Sequence, residues 1–249
     1  MKLQKLISKL EKHHKKKLDL SLGRTFNLLK KLGNPQDKLK NVITVGGTNA
    51  KASMCYSFKS ILNQAGYKTN LYTSPHLLSY TERYVFDDKE INEEDLIELL
   101  TGVEKTLGDD NATLFEILTC AFLKHDENLK DNINIIEAGL FHQFDSTNVF
   151  KENLLTLIGV IHNDHFQWLK NKSIEGVIHE KTAKLLNSNI FINKQVNNEI
   201  RDKIESSLEK NTSNKYFFGK DFNIAKSENG FIQYQDYLGE MVLPEPNIL

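Results

Sequence analysis

Apolar positions along this chain recur with two alternating periods. Within the basic segment 2–17, Leu3, Leu6, Ile7 and Leu10 fall on one helical face. The Lys-rich remainder reads as a solvated surface or an anion-binding arm. A second helix is predicted over residues 22–32, closed by Gly33 at a C-cap position and Pro35 just beyond. From residue 41 onward short apolar runs alternate with helical repeats. Strands are predicted at 41–45, 69–73, 132–137, 154–161 and 189–192, and helices at 53–65, 93–106, 114–124 and 174–186. Met54, Phe58, Ile61, Leu62 and Ala65 recur at helical spacing in the first of these helices, and Gly66 caps it. The run 154–161 has the continuous β-branched character of a strand buried on both faces. This order predicts an α/β fold, a doubly wound and mainly parallel sheet flanked by helices with right-handed crossovers. Residues 217–243 read as short strands with a turn at Glu228-Asn229-Gly230, a small β-hairpin extension near the C-terminus.

Composition narrows the class. Among 249 residues, 32 basic side chains oppose 33 acidic ones, for a formal charge of −1, which argues against a nucleic-acid partner. Hydrophobic residues make up 39%, enough for a packed core and too many for a disordered chain. No apolar run approaches the roughly 18 residues of a membrane span. Cys55 and Cys120 are too few for a disulfide framework, and the first residues lack the pattern of a signal peptide. The expectation is a soluble cytoplasmic protein without nucleic-acid or membrane partners. Its domain is expected over 1–243, with 244–249 as a linker toward a further domain.

The strongest local signal is Val45-Gly46-Gly47-Thr48-Asn49-Ala50-Lys51-Ala52-Ser53, between a predicted strand and a predicted helix. Such a turn can aim backbone N–H groups and a helix N-terminus at phosphate oxygens, in the manner of a P-loop. Lys51 would then reach the terminal phosphates and Ser53 would sit near Mg²⁺. The strict spacing G-x-x-x-x-G-K-[ST] is not met, so nucleotide binding and an ordinary strand–helix turn stay open on these residues alone.

The segment Gly47-Thr48-Asn49-Ala50-Lys51-Ala52-Ser53 resembles the G-T-N-G-K-G-S loop of the folylpolyglutamate synthase/dihydrofolate synthase family, relatives of the Mur ligases. The resemblance continues through Ser74-Pro75-His76-Leu77, Tyr80-Thr81-Glu82-Arg83, Thr113-Leu114-Phe115-Glu116, Glu137-Ala138-Gly139-Leu140, Asp145-Ser146-Thr147-Asn148, Asp164-His165 and Glu180-Lys181, in the family's order. It implies an ATP-dependent ligase that adds L-glutamate to dihydropteroate, to reduced folates, or to both, through an acyl phosphate, and a monomer. It assigns ATP binding to Gly47, Thr48, Asn49, Ala50, Lys51, Ala52 and Ser53. Ser74, Glu137, His165 and Ser53 become Mg²⁺ ligands, with two metal sites. Lys51, His165 and Lys181 become catalytic, Lys181 as the lysine that CO₂ converts to a carbamate. Substrate contacts fall on Asp19, Leu20, Ser21, Leu22, Thr113, Leu114, Phe115, Glu116, Phe144, Asp145 and Ser146. On residue type alone Glu116 could instead charge the first turn of its helix.

Departures from the family pattern lie at the same places. Alanines stand at 50 and 52 where glycines are expected, and either would be strained if its φ is positive. Phe141 and His142 replace two further glycines beside the implied substrate site, and the interval from His165 to Lys181 is one residue longer. These changes motivate two alternatives, a non-catalytic pterin- or nucleotide-binding relative and a Mur-type peptide ligase.

Overall fold

The computed structural model describes residues 2–13, 21–129, 131–169, 171–186, 188–226 and 230–244. Asp19, Leu20, Glu228, Asn229 and residues 245–249 lie outside these. Two helices open the described chain, α1 (Leu3–His13) and α2 (Gly23–Lys31). They are followed by β1 (Val42–Gly46), α3 (Lys51–Gln64) and β2 (Thr69–Tyr72). A short antiparallel pair comes next, β3 (Tyr84–Phe86) and β4 (Lys89–Glu90), then α4 (Glu93–Leu107), α5 (Leu114–Asp126) and β5 (Ile133–Glu137). The second half contributes β6 (Leu155–Ile158), α6 (Ile174–Thr182), β7 (Asn189–Ile192), α7 (Asn198–Ser207) and β8 (Lys215–Phe217). Three strands close it: β9 (Asn223–Lys226), β10 (Phe231–Asp236) and β11 (Gly239–Pro244).

The main sheet has eight strands in the order β4-β3-β2-β5-β1-β6-β7-β8. From β2 to β8 every pairing is parallel, and β3 and β4 add an antiparallel edge. Successive residues of a strand face opposite sides, and the two cores divide accordingly. Ile133 and Ile135 share a cluster with Ile43, Val45, Leu71 and Cys55 of α3. Ile136 shares the opposite one with Val42, Tyr72, Tyr84 and Phe122 of α5, together with Leu6 and Leu10 of α1. A third cluster packs Ile158, Ile190 and Ile192 against Val177 of α6 and Ile204 of α7. The apolar face of α1 is buried as its spacing predicts. Among the described residues no helix is long and apolar enough to cross a membrane.

Three differences from the sequence expectations have local causes. Helix α6 stops at Thr182, four residues early, because Ala183 is extended and Lys184 left-handed (φ 57°), which turns the chain back toward β7. The C-terminal extension is a three-stranded antiparallel sheet, one strand more than a hairpin. The elements β3, β4, β8 and α7 carry too little signal to be predicted. The strands are two or three residues long, and α7 buries only Ile200 and Ile204.

Opposite the end of the sheet that holds the glycine-rich turn, a buried amide network joins β2 to β5. Asn70 donates to Asn134 (2.9 Å) and to Asp126, and accepts from Asn132 (2.9 Å) and from the backbone of Asp87 (2.8 Å). Among the described residues the other carboxyl oxygen of Asp126 has no partner, and burial pushes this acid up to about 8. An acid raised in the folded state contributes stability that is complete below its unfolded value near 4 and is lost as pH climbs toward the folded value. Thermal melts between about pH 4 and pH 9 are therefore expected to fall with pH in the unaltered chain, and Asp126→Asn should flatten that slope. An equal slope in both proteins would refute the assignment.

Candidate functional site

Strand β1 ends beside the ends of both its neighbours, with Val45 opposite Glu137 of β5 and Gly46 opposite Ile158 of β6. The crevice outside the carboxyl ends of such strands, where chain order reverses, is where open α/β sheets place ligands. Here β2 and β5 lie on one side of β1, and β6 and β7 on the other.

The turn after β1 is held by backbone contacts. Gly47 has φ +125°, and a Cβ there would stand 3.1 Å from the backbone of Gly159, so only glycine allows the approach. Thr48 N–H then donates to the Val160 carbonyl (2.8 Å), and its hydroxyl accepts from His162 N–H (3.1 Å). Ala50 is the N-cap of α3 in the left-handed region (φ 63°), with no side-chain capping bond. Ala52 lies within the helix and outside the positive-φ set, so the strain expected at 50 or 52 falls on Ala50 alone.

Charged groups gather around this turn. The Lys51 ammonium donates to the Thr48 carbonyl (3.3 Å) and lies 4.0 Å from a Glu137 carboxyl oxygen. Glu137 is 2% exposed and accepts from the backbone of Ser74 (2.9 Å). Burial raises its pKa, opposed by that bond and by Lys51. His165 sits at a left-handed residue (φ 56°) with its ring 3.0 Å from Asp164, and burial is the main cause of its lowered pKa. Lys181 is 3% exposed, and its amine donates to the carbonyls of Gly47 and Leu140, both at 3.0 Å. Burial and the nearby Lys51 charge lower it to about 8. The Phe141 ring covers it at 5.7 Å.

A cavity of about 740 Å³ opens at this end of the sheet. Lys51, Ser74 and His165 line it, as do Thr113, Leu114, Phe115, Glu116, Phe144, Asp145 and Ser146. Its lining does not include Gly47, Thr48, Asn49, Ala50, Ala52, Ser53, Lys181, Ser21 or Leu22; Leu22 packs against the core instead. Ser53 is exposed on α3. Two of the acids on the wall have their oxygens engaged. Glu116 closes a capping box with Thr113 and takes a bidentate pair from Arg24 at 3.0 and 3.1 Å. Buried Asp145 accepts from the N–H groups of Leu140 and Thr147 and from the Thr147 hydroxyl. A Cβ at Gly139 would meet the Phe115 ring at 2.7 Å and an Asp145 carboxyl oxygen at 2.9 Å, so those side chains would have to shift. Phe141 also lines the cavity, whereas His142 is buried with both ring nitrogens unpartnered and its pKa lowered by burial to about 4. Among the described residues no three His, Cys, Asp or Glu side chains converge to hold a metal ion.

Arg24, Arg83 and Trp168, none of which has an assigned role in the sequence, also line the cavity. The Arg83 position inside Tyr80-Thr81-Glu82-Arg83 was the available signal for that residue. Trp168 is 44% exposed, which places it at the rim.

No protein-family model matches the sequence. The chain is 37% identical over 169 residues to the dihydrofolate synthase/folylpolyglutamate synthase of Bacillus subtilis, a match covering 65% of this chain and 39% of that protein. Its fold is similar to the solved structure of E. coli FolC in complex with DHPP and ADP (TM-score 0.89, 28% identity, 100% of this chain and 59% of that one). It is also similar to a bifunctional folylpolyglutamate synthase/dihydrofolate synthase from Yersinia pestis complexed with AMPPNP and Mn ion (TM-score 0.87, 26% identity, 100% and 59%). The chain spans 38–39% of the length of the first curated relatives it matches.

Ala50→Gly removes a Cβ from a left-handed residue and is expected to add about 0.5–1 kcal/mol of stability. The reading is a higher urea midpoint at unchanged slope. An unchanged or lower midpoint would show that the methyl is not strained.

Proposed function

Starting from its kinship in sequence and fold with the dihydrofolate synthase/folylpolyglutamate synthase family, we propose that this chain carries the ATP-handling half of a cytoplasmic ligase joining L-glutamate to dihydropteroate or reduced folates. The observation that carries this is the meeting of Lys51, Ser74 and His165 on one cavity, above the buried Glu137, at the ends of β1, β2 and β5. In the proposed reaction a substrate carboxylate oxygen attacks the γ-phosphorus of ATP, the bond to the β-phosphate oxygen breaks, and ADP leaves. The amine of glutamate then attacks the acyl phosphate, loses a proton and expels phosphate, leaving an amide.

Catalysis of this kind rests on placement and on neutralising charge as it moves. The turn from Gly47 to Ser53 and the N-terminus of α3 would cradle the phosphates, since Ala50 supplies no side-chain cap to occupy the free N–H groups. Lys51 would hold the transferring phosphoryl group. The aromatic wall of Phe115, Phe144 and Phe141 suits a flat pterin and benzoyl ring, with Ser146 and Thr113 as polar contacts.

The donors present fit one Mg²⁺. Ser74 and His165 line the cavity, and the buried Glu137 carboxylate accepts from Ser74 N–H. These three are the residues that would hold the ion, whereas Ser53 is exposed on α3 outside the cavity. When bound, the ion would supply neutralisation of the phosphate oxygens. The resemblance implies a carbamate at Lys181; the unmodified amine donates to the carbonyls of Gly47 and Leu140 under the Phe141 ring, with the Lys51 charge nearby. In this chain Lys181 serves as an amine that ties the turn after β1 to the segment after β5.

A binding-only relative is the second reading, favoured by the strained Ala50 and by the bulk of Phe141. Calorimetric titration of Mg-ATP separates them at the first step. Saturable, Mg²⁺-dependent binding is expected, weakened at least tenfold by Lys51→Ala. Binding rescued only by Ala50→Gly would favour a decayed site, and binding indifferent to Lys51 would refute the assignment of the turn.

A further inference from the structure

Three cations, Arg24, Lys51 and Arg83, meet three acids, Glu116, Asp145 and Glu137, at this cavity, but they do not all form ion pairs. Arg24 is matched by Glu116, Asp145 is answered by backbone and hydroxyl donors, and Lys51 faces Glu137. Arg83 remains. Its Nε donates to Nδ1 of His76 (2.9 Å) and its guanidinium stacks 5.0 Å from the Tyr80 centroid. No carboxylate among the described residues pairs with it, and its two Nη groups have no hydrogen-bond partner there, although it lines the cavity with Lys51 and Ser74.

The surroundings hold this side chain in advance. Glu82 accepts from the N–H groups of Leu77, Leu78 and Ser79 at 2.6–2.8 Å, and Ser79 completes a capping box with it. The Arg83 carbonyl accepts from Thr73 N–H (3.2 Å), which joins the loop to the residue before Ser74. The His76 ring lies 4.1 Å from that of Tyr80, so its acceptor nitrogen is fixed as well. An arginine whose Nε is occupied and whose stacking face is covered presents its two Nη donors in one orientation. That fork matches a carboxylate and is wasted on a neutral group.

We infer that Arg83 receives the substrate carboxylate that becomes the acyl phosphate, and that His76 and Tyr80 position its guanidinium for this. The inference rests on the ligase reading above. It places the attacking carboxylate in one chamber with the phosphoryl group assigned to Lys51. A fixed cation between two anions lowers the cost of bringing them together in a low-dielectric site.

Dihydropteroate and its carboxamide analogue differ only in the group Arg83 would read. The single tryptophan, Trp168, lies on the cavity wall and reports their binding by fluorescence. The unaltered chain is expected to prefer the carboxylate by about tenfold or more. Arg83→Gln should bring the two ligands to within about twofold, and Arg83→Lys should keep part of the preference because charge survives without the fork. Mg-ADP affinity, measured by calorimetry, should stay unchanged in both variants. If both variants keep the full preference, or if Mg-ADP affinity falls in step with it, the role of Arg83 is overturned while the folate reading stands. The same holds if the unaltered chain binds both ligands equally. Should Arg83→Gln fail to fold, Arg83→Lys alone decides. If the unaltered chain binds neither ligand, the folate reading itself fails and this inference falls with it.

Discussion

The approach of Gly47 to the backbone of Gly159 is the contact on which the rest of the site depends. It brings the turn after β1 close enough to the end of β6 for Thr48 to bond Val160 and His162. The same approach turns the Gly47 carbonyl toward the Lys181 amine, which also grips Leu140. Three segments far apart in sequence are thereby fixed to one another by backbone groups. Side chains then need little further support: Lys51 projects from the first turn of α3 into a frame already set.

Burial divides the charges of this region into two kinds. Asp145 and Glu116 are surrounded by donors and behave as structural acids, holding the 139–147 loop and the start of α5. Burial disfavours the charge of Asp145 and Glu137 alike, but Glu137 has one backbone donor, from Ser74, and a lysine 4.0 Å away in place of the donor shell around Asp145. An incompletely compensated carboxylate beneath a cavity is poised for a cation, whereas a fully compensated one is not. Among the described cations Arg83 is the reciprocal case. The site thus keeps one open carboxylate and one open guanidinium, while Glu116 pairs with Arg24, and Asp145 and Lys181 are held by neutral partners.

Most of this fold was legible because its elements are long and strictly periodic. Strand β7 matches its apolar run residue for residue, and β1, β2, β5, α4 and α5 fall within two residues of their predicted ends. What escaped detection lacked period or length, as in β3 and β4, or hid in a polar sequence, as in α7. The candidate residues were legible for another reason, since they sit in short motifs whose order resembles a known family. Motifs name positions without saying which oxygens are free. Glu116 and Arg24 look equally available in sequence, and only their bidentate pairing removes both from the list of open charges. Arg83, immediately before a strand too short to predict, becomes distinct once its lack of an acidic partner among the described residues is visible.

Ala50, Phe141 and His142, where the resemblance leads to an expectation of glycine, sit in three different settings. Ala50 costs about 1–2 kcal/mol as a left-handed residue, a local strain that the packing of α3 against β1, β2 and β5 can absorb. It leaves the first N–H groups of the helix without a side-chain cap, which favours an external anion rather than opposing one. His142 points away from the cavity and stays neutral in the interior, so it alters packing and not the reacting volume. Phe141 alone stands on the cavity wall while covering Lys181. Its ring both narrows the chamber and excludes water from the amine behind it, which is why Lys181 finds carbonyl oxygens as its partners. Of the three, Phe141 is therefore the one that shapes the cavity, and Ala50 acts on the helix terminus beside it.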